Sequence, residues 1–256
     1  MRFSVVTVTY NNLQGLRKTA ESILAQTCED FEWIVVDGGS SDGTAQFLSL
    51  LDQQGIKWLS EKDGGIYDAM NKGINLSRGE YCIFMNAGDQ FSDPTVLSNV
   101  SQAIGVDQPT IVYGDAFEAA ADEKHYKPAR NPKANFYVMF THHQSIFYRR
   151  QVLGAGYDLS YKFSADWALT TRLLNAPNAQ VLRYNGAVCL FERGGISQSE
   201  EHRKVINAEH WRIYVEESGM NRVVAGVLWT AKVGTNKMRR HLPWLYDLVR
   251  YPRWRA

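Results

Sequence analysis

Across residues 3–85, short β-branched apolar runs alternate with segments whose apolar residues recur at helical spacing, and no other feature narrows the possible folds as much. Residues 3–9 (FSVVTVT) are apolar almost throughout, as a strand covered on both faces requires. Tyr10-Asn11-Asn12 breaks the run, and residues 13–26 read as an amphipathic helix with Leu16, Ala20, Ile23 and Leu24 on its inner face. Residues 31–36 (FEWIVV) form the next strand. The small-residue turn Asp37-Gly38-Gly39-Ser40-Ser41-Asp42-Gly43-Thr44 follows, in which Ser41 or Asp42 caps a helix running through Phe47, Leu48 and Leu51. Residues 56–60 give a short third strand. Ile66, Ala69, Met70, Gly73 and Ile74 mark a helix over 65–76, and residues 81–85 a fourth strand. This alternation predicts an α/β fold: a mainly parallel, Rossmann-like sheet flanked by helices and joined by right-handed crossovers.

The second half is less regular. Residues 94–104 read as a helix, 110–117 as a strand, 119–135 as a polar hairpin or loop, 145–148 as a strand, 166–174 as a helix and 179–191 as a strand. Beyond Ser199 the pattern turns helical and basic. The division that follows is a domain over 1–198, in two halves (1–92 and 93–198), with a helical extension over 199–256.

A chain of 256 residues, 45% hydrophobic, is large enough for a well-buried core. Lys+Arg 28 against Asp+Glu 27 leaves no global basic field for gripping nucleic acid. Cys28, Cys82 and Cys189 form no CxxC pair, so zinc ligation has little support; Cys82, inside an apolar run, reads as a buried structural thiol. The odd count suits a reducing compartment. There is neither an apolar leader with a cleavage site nor a run of about eighteen apolar residues, so a cytoplasmic protein is expected.

In open parallel sheets, ligands bind beyond the carboxyl ends of the strands. Polar residues collect there in this chain: Thr9-Tyr10-Asn11 after the first strand, Asp37 after the second, residues 61–63 after the third, and Asn86-Ala87-Gly88-Asp89 after the fourth. Asn11 and the Gly38-Gly39 pair serve turn geometry or a ligand equally well. Asp37 and Asp89 each end a fully apolar strand with no evident structural partner in the sequence, which favours function.

Four segments, in this order and spacing, resemble glycosyltransferase family 2: VVTVTYN at 5–11, VDGGSSDGT at 36–44, DGGIYDAMNKG at 63–73 and FMNAGD at 84–89. The likeness covers roughly residues 1–197. It is closest to the bacterial branch that builds extracellular and lipopolysaccharide sugar chains, which includes the colanic-acid glycosyltransferases. The resemblance implies a GT-A fold with a nucleotide-binding half and an acceptor-binding half. It also implies transfer of a sugar from a nucleotide-sugar, with a mild preference for UDP, to a hydroxyl acceptor. Carried over by motif, Thr9 and Tyr10 line the nucleobase and ribose pocket, Asn11 is expected on the donor, and Asp37 accepts a hydrogen bond from the base edge. Asp63, Asp68 and Asn71 lie near the ribose and sugar-phosphate; the residues alone read Asp68 as a surface helix charge and Asn71 as a solvated polar group.

The metal motif departs from the family's common Asp-x-Asp-Asp. Here Asn86-Ala87-Gly88-Asp89 keeps one carboxylate, Asp89, with Asn86 offering a neutral carbonyl; Asn86 and Ala87 are expected on the donor. A diphosphate leaving group is still best neutralised by a hard cation, so Mn²⁺ or Mg²⁺ on Asp89 is implied. The family's base is a late aspartate at a helix start. Ser164-Ala165-Asp166-Trp167 matches it, which makes Asp166 the expected catalytic base, worth roughly 10² to 10⁴ in rate. A carboxylate there also suits the helix macrodipole. A base opposite a departing diphosphate implies inversion at the anomeric carbon.

Thr141-His142-His143-Gln144-Ser145 is similar to the family's acceptor-side segment, with His143 or Gln144 on a sugar; a core or surface histidine is the other reading. Arg193 in Arg193-Gly194-Gly195 either brings positive charge to the diphosphate or belongs to a plain glycine turn. The extension mixes Lys232, Lys237, Arg239, Arg240, Arg250, Arg253 and Arg255 with Trp229, Trp244, Tyr246, Tyr251 and Trp254. That composition suits the inner membrane surface, where an acceptor on a polyprenyl diphosphate would be met, and equally a helical appendage packed on the domain or a dimer contact. The competing activities are a sugar-phosphate nucleotidyltransferase, which needs a glycine-rich basic loop where Tyr10-Asn11-Asn12 stands, and a catalytically degenerate nucleotide-sugar-binding module.

Overall fold

A computed structural model of the chain describes residues 1–52, 55–120, 123–192 and 202–241. The first half follows the predicted alternation: β1 Phe3–Thr9, α1 Leu13–Leu24, β2 Phe31–Asp37, α2 Thr44–Leu51, β3 Lys57–Ser60, α3 Ile66–Leu76 and β4 Tyr81–Phe84. Beyond it come β5 Gln90–Phe91, α4 Val96–Ile104, β6 Ile111–Ala120, β7 Glu123–Lys127, β8 Ile146–Arg149, α5 Ala165–Leu174, β9 Val181–Glu192, α6 Arg203–Arg212 and α7 Arg222–His241. Among the described residues these strands form one sheet in the order β3-β2-β1-β4-β8-β6-β9-β5, with β7 on β6. The β3, β2, β1 and β4 pairings are parallel. The second half mixes antiparallel β8 with the parallel β6–β9 pair.

Alternation along the strands explains why both faces are covered. Val6 and Val8 of β1, with Ile34 and Val36 of β2, point into one core shared with α3 and α5. Phe3 and Val5, with Trp33 and Val35, point into the other, shared with α1, α2 and α4. Cys82 is fully buried, and burial pushes its thiol up to about 11. Leu24 is an exception to the helix reading: it ends α1 with 45% of its surface exposed, because α1 stops before its next turn reaches the core. Ile66 is likewise exposed at the first turn of α3. The polar segment 119–135 is the β6–β7 hairpin followed by a 3₁₀ turn over Pro132–Phe136.

The first part of the extension belongs to the main core. Ile213 and Tyr214, in the π-helical turn Ile213–Glu217, are fully buried with Trp167, and Glu209 of α6 accepts from the Lys162 and Phe163 amides.

Helix α3 presses on β1 at one point without slack. A Cβ at Gly73 would overlap Val6 Cγ1. Val6 is β-branched on a buried strand and has almost no freedom to rotate away. Gly73→Ala is therefore expected to destabilise by about 1–2 kcal/mol, the overpacking strain exceeding the gain in helix propensity. Urea denaturation checks this, and Val6→Ala should cost less in the Gly73→Ala background than alone.

Candidate active site

The loops after β1 and β2 are laced together. Asn11 takes a left-handed backbone (φ 46°), its amide donates to Ser40 Oγ at 2.7 Å, and its side-chain oxygen accepts from the Ser41 amide at 2.9 Å. Asp42 accepts from the Leu13 amide and from Thr44. Asn12 caps α1 and also donates to the Ala87 carbonyl at 3.0 Å, tying in the loop after β4. Asn11 thus shapes this turn through its side-chain oxygen on the Ser41 amide.

Asp37 does have structural partners, contrary to what its sequence position suggests. It is 0% exposed, and its carboxylate accepts from Ser40 and from Ser60 Oγ at 2.6 Å, which anchors the whole Gly38-Gly39 turn. What faces outward is the space above that turn. Tyr10 is 66% exposed, and a Cβ at Gly38 would stand 3.2 Å from its ring and 2.7 Å from Asp63 Oδ2. Glycine at 38 thus keeps open a slot between an aromatic face and a carboxylate oxygen. The other Asp63 oxygen accepts from the Gly65 amide, and Asp68 accepts from the Gly64 amide, so the two acids organise the start of α3 where Gly65 offers no side chain. Asn71 is bonded across to another part of the chain. Its amide brackets Tyr157, donating to the carbonyl at 2.9 Å and accepting from the amide at 2.8 Å, which occupies both ends of the group in a tertiary contact.

The loop after β4 extends alongside β1 through Met85 and Ala87 amides on Val6 and Val8 carbonyls. Thr19, buried on α1, holds the loop: its hydroxyl accepts from the Gly88 amide and donates to the Asp89 carbonyl at 2.7 Å. Gly88 needs its glycine, with φ 110° and Glu192 Oε2 standing 2.7 Å from where a Cβ would be. Asp89 is buried. Its Oδ2 accepts from Gln144 Nε2 at 2.8 Å and its Oδ1 from the Glu192 amide at 3.2 Å. Burial pushes the Asp89 carboxyl up to about 7; the two hydrogen bonds oppose this, and the neighbouring Glu192 charge adds to it.

Asp166 sits in the first turn of α5, where the helix dipole favours a carboxylate. Tyr67 Oη donates to its Oδ1 at 3.0 Å across 99 residues. Burial, reinforced by the Asp166 charge, holds the Tyr67 phenol well above its ordinary range, so it remains a donor. His143 is buried and its Nε2 has no hydrogen-bond partner. Burial lowers its basicity while the Asp166 charge pulls the other way, which places the imidazole within the field of that carboxylate. Next to His143 in the chain, Gln144 holds Asp89. Gln144, expected on a sugar, donates to the Asp89 side chain. Arg193 lies outside the described residues.

Among the described residues no group of three His, Cys, Asp or Glu side chains is placed to hold a metal. Two oxygen donors stand in the loop after β4: the Asp89 carboxylate and Asn86 Oδ1, the latter buried with no hydrogen-bond partner. That donor set fits a hard divalent cation whose remaining ligands come from phosphate and water.

Three residues that hold the candidate site together were not singled out by the sequence. Tyr67 lies inside the DGGIYDAMNKG segment but is a core aromatic by spacing, Thr19 reads as an ordinary helix residue, and Glu192 is the last residue of a strand. Only position within or next to a motif could have pointed to them.

The protein-family model described as Glycosyl transferase family 2 matches residues 4–170. A PGL/p-HBAD biosynthesis glycosyltransferase of Mycobacterium tuberculosis is 34% identical over 205 residues, covering 77% of this chain and 79% of the relative. Among solved structures, S. aureus TarS 1-349 in complex with UDP superposes with a TM-score of 0.65 at 17% identity, covering 97% of this chain and 74% of that one. The mannosyltransferase PcManGT from Pyrobaculum calidifontis, in complex with GDP-Man and Mn²⁺, superposes with a TM-score of 0.60 at 14% identity, covering 98% and 84%. The strand-end cleft, the motif order and these matches converge: the chain belongs to glycosyltransferase family 2 and is a glycosyltransferase with the GT-A fold.

Proposed function

We propose that this glycosyltransferase moves a sugar from a UDP-sugar to a hydroxyl of a glycan acceptor with inversion, using Mn²⁺ or Mg²⁺. The acceptor is carried on a polyprenyl diphosphate and met at the inner membrane surface during bacterial surface-polysaccharide synthesis. The observation that supports this reading is that Asp89 and Asp166 are each held by a side chain from a distant part of the chain, Gln144 Nε2 at 2.8 Å and Tyr67 Oη at 3.0 Å.

The Tyr10 ring and the Asp63 carboxylate on either side of Gly38 have the chemistry to hold a base: a ring for stacking and a carboxylate oxygen for an N–H. The Asp37-anchored turn carries this glycine. Asp68 and the start of α3 border the sugar-phosphate. A divalent cation on Asp89, with Asn86 Oδ1 as neutral neighbour, would neutralise charge developing on the diphosphate. TarS with UDP and PcManGT with GDP-Man and Mn²⁺ are structures of proteins sharing this fold. Asp166, fixed by Tyr67, takes the acceptor hydroxyl proton as the acceptor oxygen bonds to the anomeric carbon. The carbon–oxygen bond to the diphosphate breaks in the same displacement, and the nucleoside diphosphate leaves with the electron pair.

A thermal-shift series of UDP- and GDP-sugars, each with and without Mn²⁺, tests the reading. A matching donor at about 100 times its Kd is expected to add roughly 2.7 kcal/mol of stability. UDP-sugars should do so, and more strongly with Mn²⁺. No shift from any nucleotide-sugar would overturn the proposal.

A further inference from the structure

We infer that the outer face of α7, together with the Pro132–Phe136 turn, is a docking surface for an anionic lipid bilayer. This deepens the preceding section and takes from it only the lipid-linked acceptor. Helix α7 has two apolar sides. One is packed: Ala225 is fully buried, Trp229 Nε1 donates to the Asn207 carbonyl at 2.8 Å, and Lys232 Nζ lies 3.9 Å from the Trp167 ring centroid. The other is bare. Val223, Val227 and Ala231 follow one another at i, i+4 and i+8, with Val224 beside them, and Val223 and Val227 are 76% and 66% exposed. A helix meant only to pack on its own domain has no use for this second stripe.

The stripe continues into the body of the protein. An open groove of ≈ 410 Å³ between α7 and the Pro132–Phe136 turn is lined by Ala134, Phe136, Tyr137, Leu228 and Ala231, with Arg130 at its rim. Phe136 is itself half exposed. An exposed aromatic beside aliphatic side chains matches the depth profile of a membrane interface.

Charge selects the partner. Arg130, Lys133 and Arg222 are exposed around this face, and among the described residues no acidic side chain pairs with them. The sequence holds no Asp or Glu from Ser218 to Tyr246, while Lys237, Arg239 and Arg240 continue the run. Two copies of the chain joined face to face through this patch would set cations against cations. Nucleic acid would find valines where it needs stacking or hydrogen-bonding groups. Anionic headgroups over an acyl boundary satisfy both features, each basic residue adding about 1 kcal/mol near the surface. The placement also serves the chemistry. Trp167, next to Asp166, donates from Nε1 to the Asn135 carbonyl at 2.8 Å in the Pro132–Phe136 turn and receives Lys232 from α7. The docking face is thus built on the elements that hold the expected base, and docking would bring the acceptor half to the membrane.

The test is co-sedimentation of the full chain with vesicles of phosphatidylglycerol and phosphatidylcholine, against phosphatidylcholine alone, at low and high salt. Binding only to the anionic vesicles, weakened by salt, is expected. The double variant Val223→Asp/Val227→Asp changes exposed side chains; its thermal midpoint and its response to UDP with Mn²⁺ should match the parent, while vesicle affinity falls at least about tenfold. Failure of the parent to bind, or equal binding by the variant, overturns the inference, as does light scattering that shows a dimer which the variant dissolves. A parent that binds vesicles but shows no UDP response would sink the proposed reaction and leave the docking face standing.

Discussion

Asp166→Ala is expected to lower kcat by roughly 10² to 10⁴ while the stabilisation by UDP with Mn²⁺ stays unchanged. The reason is geometric. Asp166 stands at the start of α5, its Oδ1 held by Tyr67, while the polar groups that would touch the donor lie on the loops after β1, β3 and β4 and at the start of α3. Removing the carboxylate deletes a proton acceptor and leaves the donor pocket intact. Asp166→Asn, which keeps the shape and the Tyr67 contact but cannot take the proton, should be nearly as impaired. Tyr67→Phe probes positioning: a lost hydrogen bond to a charged group should lower kcat by about 10- to 100-fold with little effect on donor KM. Single-turnover rates and donor thermal shifts separate these effects. Turnover that survives Asp166→Ala at parental rate would remove it as the base.

Asp89→Asn is expected to abolish the additional stabilisation that Mn²⁺ gives to UDP binding and to lower kcat at least about 10²-fold. Its pH dependence makes the assignment sharper. Because burial raises this carboxyl to about 7, a cation must displace a proton below that pH. Apparent metal affinity should then climb by up to about tenfold per pH unit up to about 7 and level off above it. In the metal-free protein the sign is the opposite of the usual carboxylate. A raised folded-state value contributes stability that is fully present below the ordinary carboxylate range and is lost as pH rises through about 7. The metal-free parent should therefore lose melting temperature between pH 4 and 8 relative to Asp89→Asn, and UDP with Mn²⁺ should restore it most at pH 8. Parallel melting curves for parent and variant across that range would contradict a titrating Asp89.

Much of the cleft was legible because strand ends are punctuated. Asp37, Asp63 and Asp89 each stop an apolar run or open a glycine turn, and the sheet topology carries all three to the same edge. Their partners were not legible. The donors that hold Asp37 are Ser40 and Ser60, and the second of these comes from another strand. Asn71 looked like a polar helix residue in a ligand motif, yet its amide closes on Tyr157, 86 residues away. Leu24 fits the inner-face period of α1 and still lies in solvent, since periodicity says which side faces the core but not where the core ends.

By itself the sequence determined the β-α alternation, the two buried faces of the leading strands and the positions where polar groups interrupt them. These rest on local rules, the two-residue period of strands and the 3.6-residue period of helices. Tertiary structure alone decided that antiparallel β8 lies between β4 and β6, and with it which side chains meet. Tyr67 reaches Asp166 and Gln144 reaches Asp89 because the sheet order folds residues 99 and 55 positions apart into contact. No local period encodes such a meeting: it depends on the packing of the whole sheet, where a slip of one residue in register would turn each side chain to the opposite face.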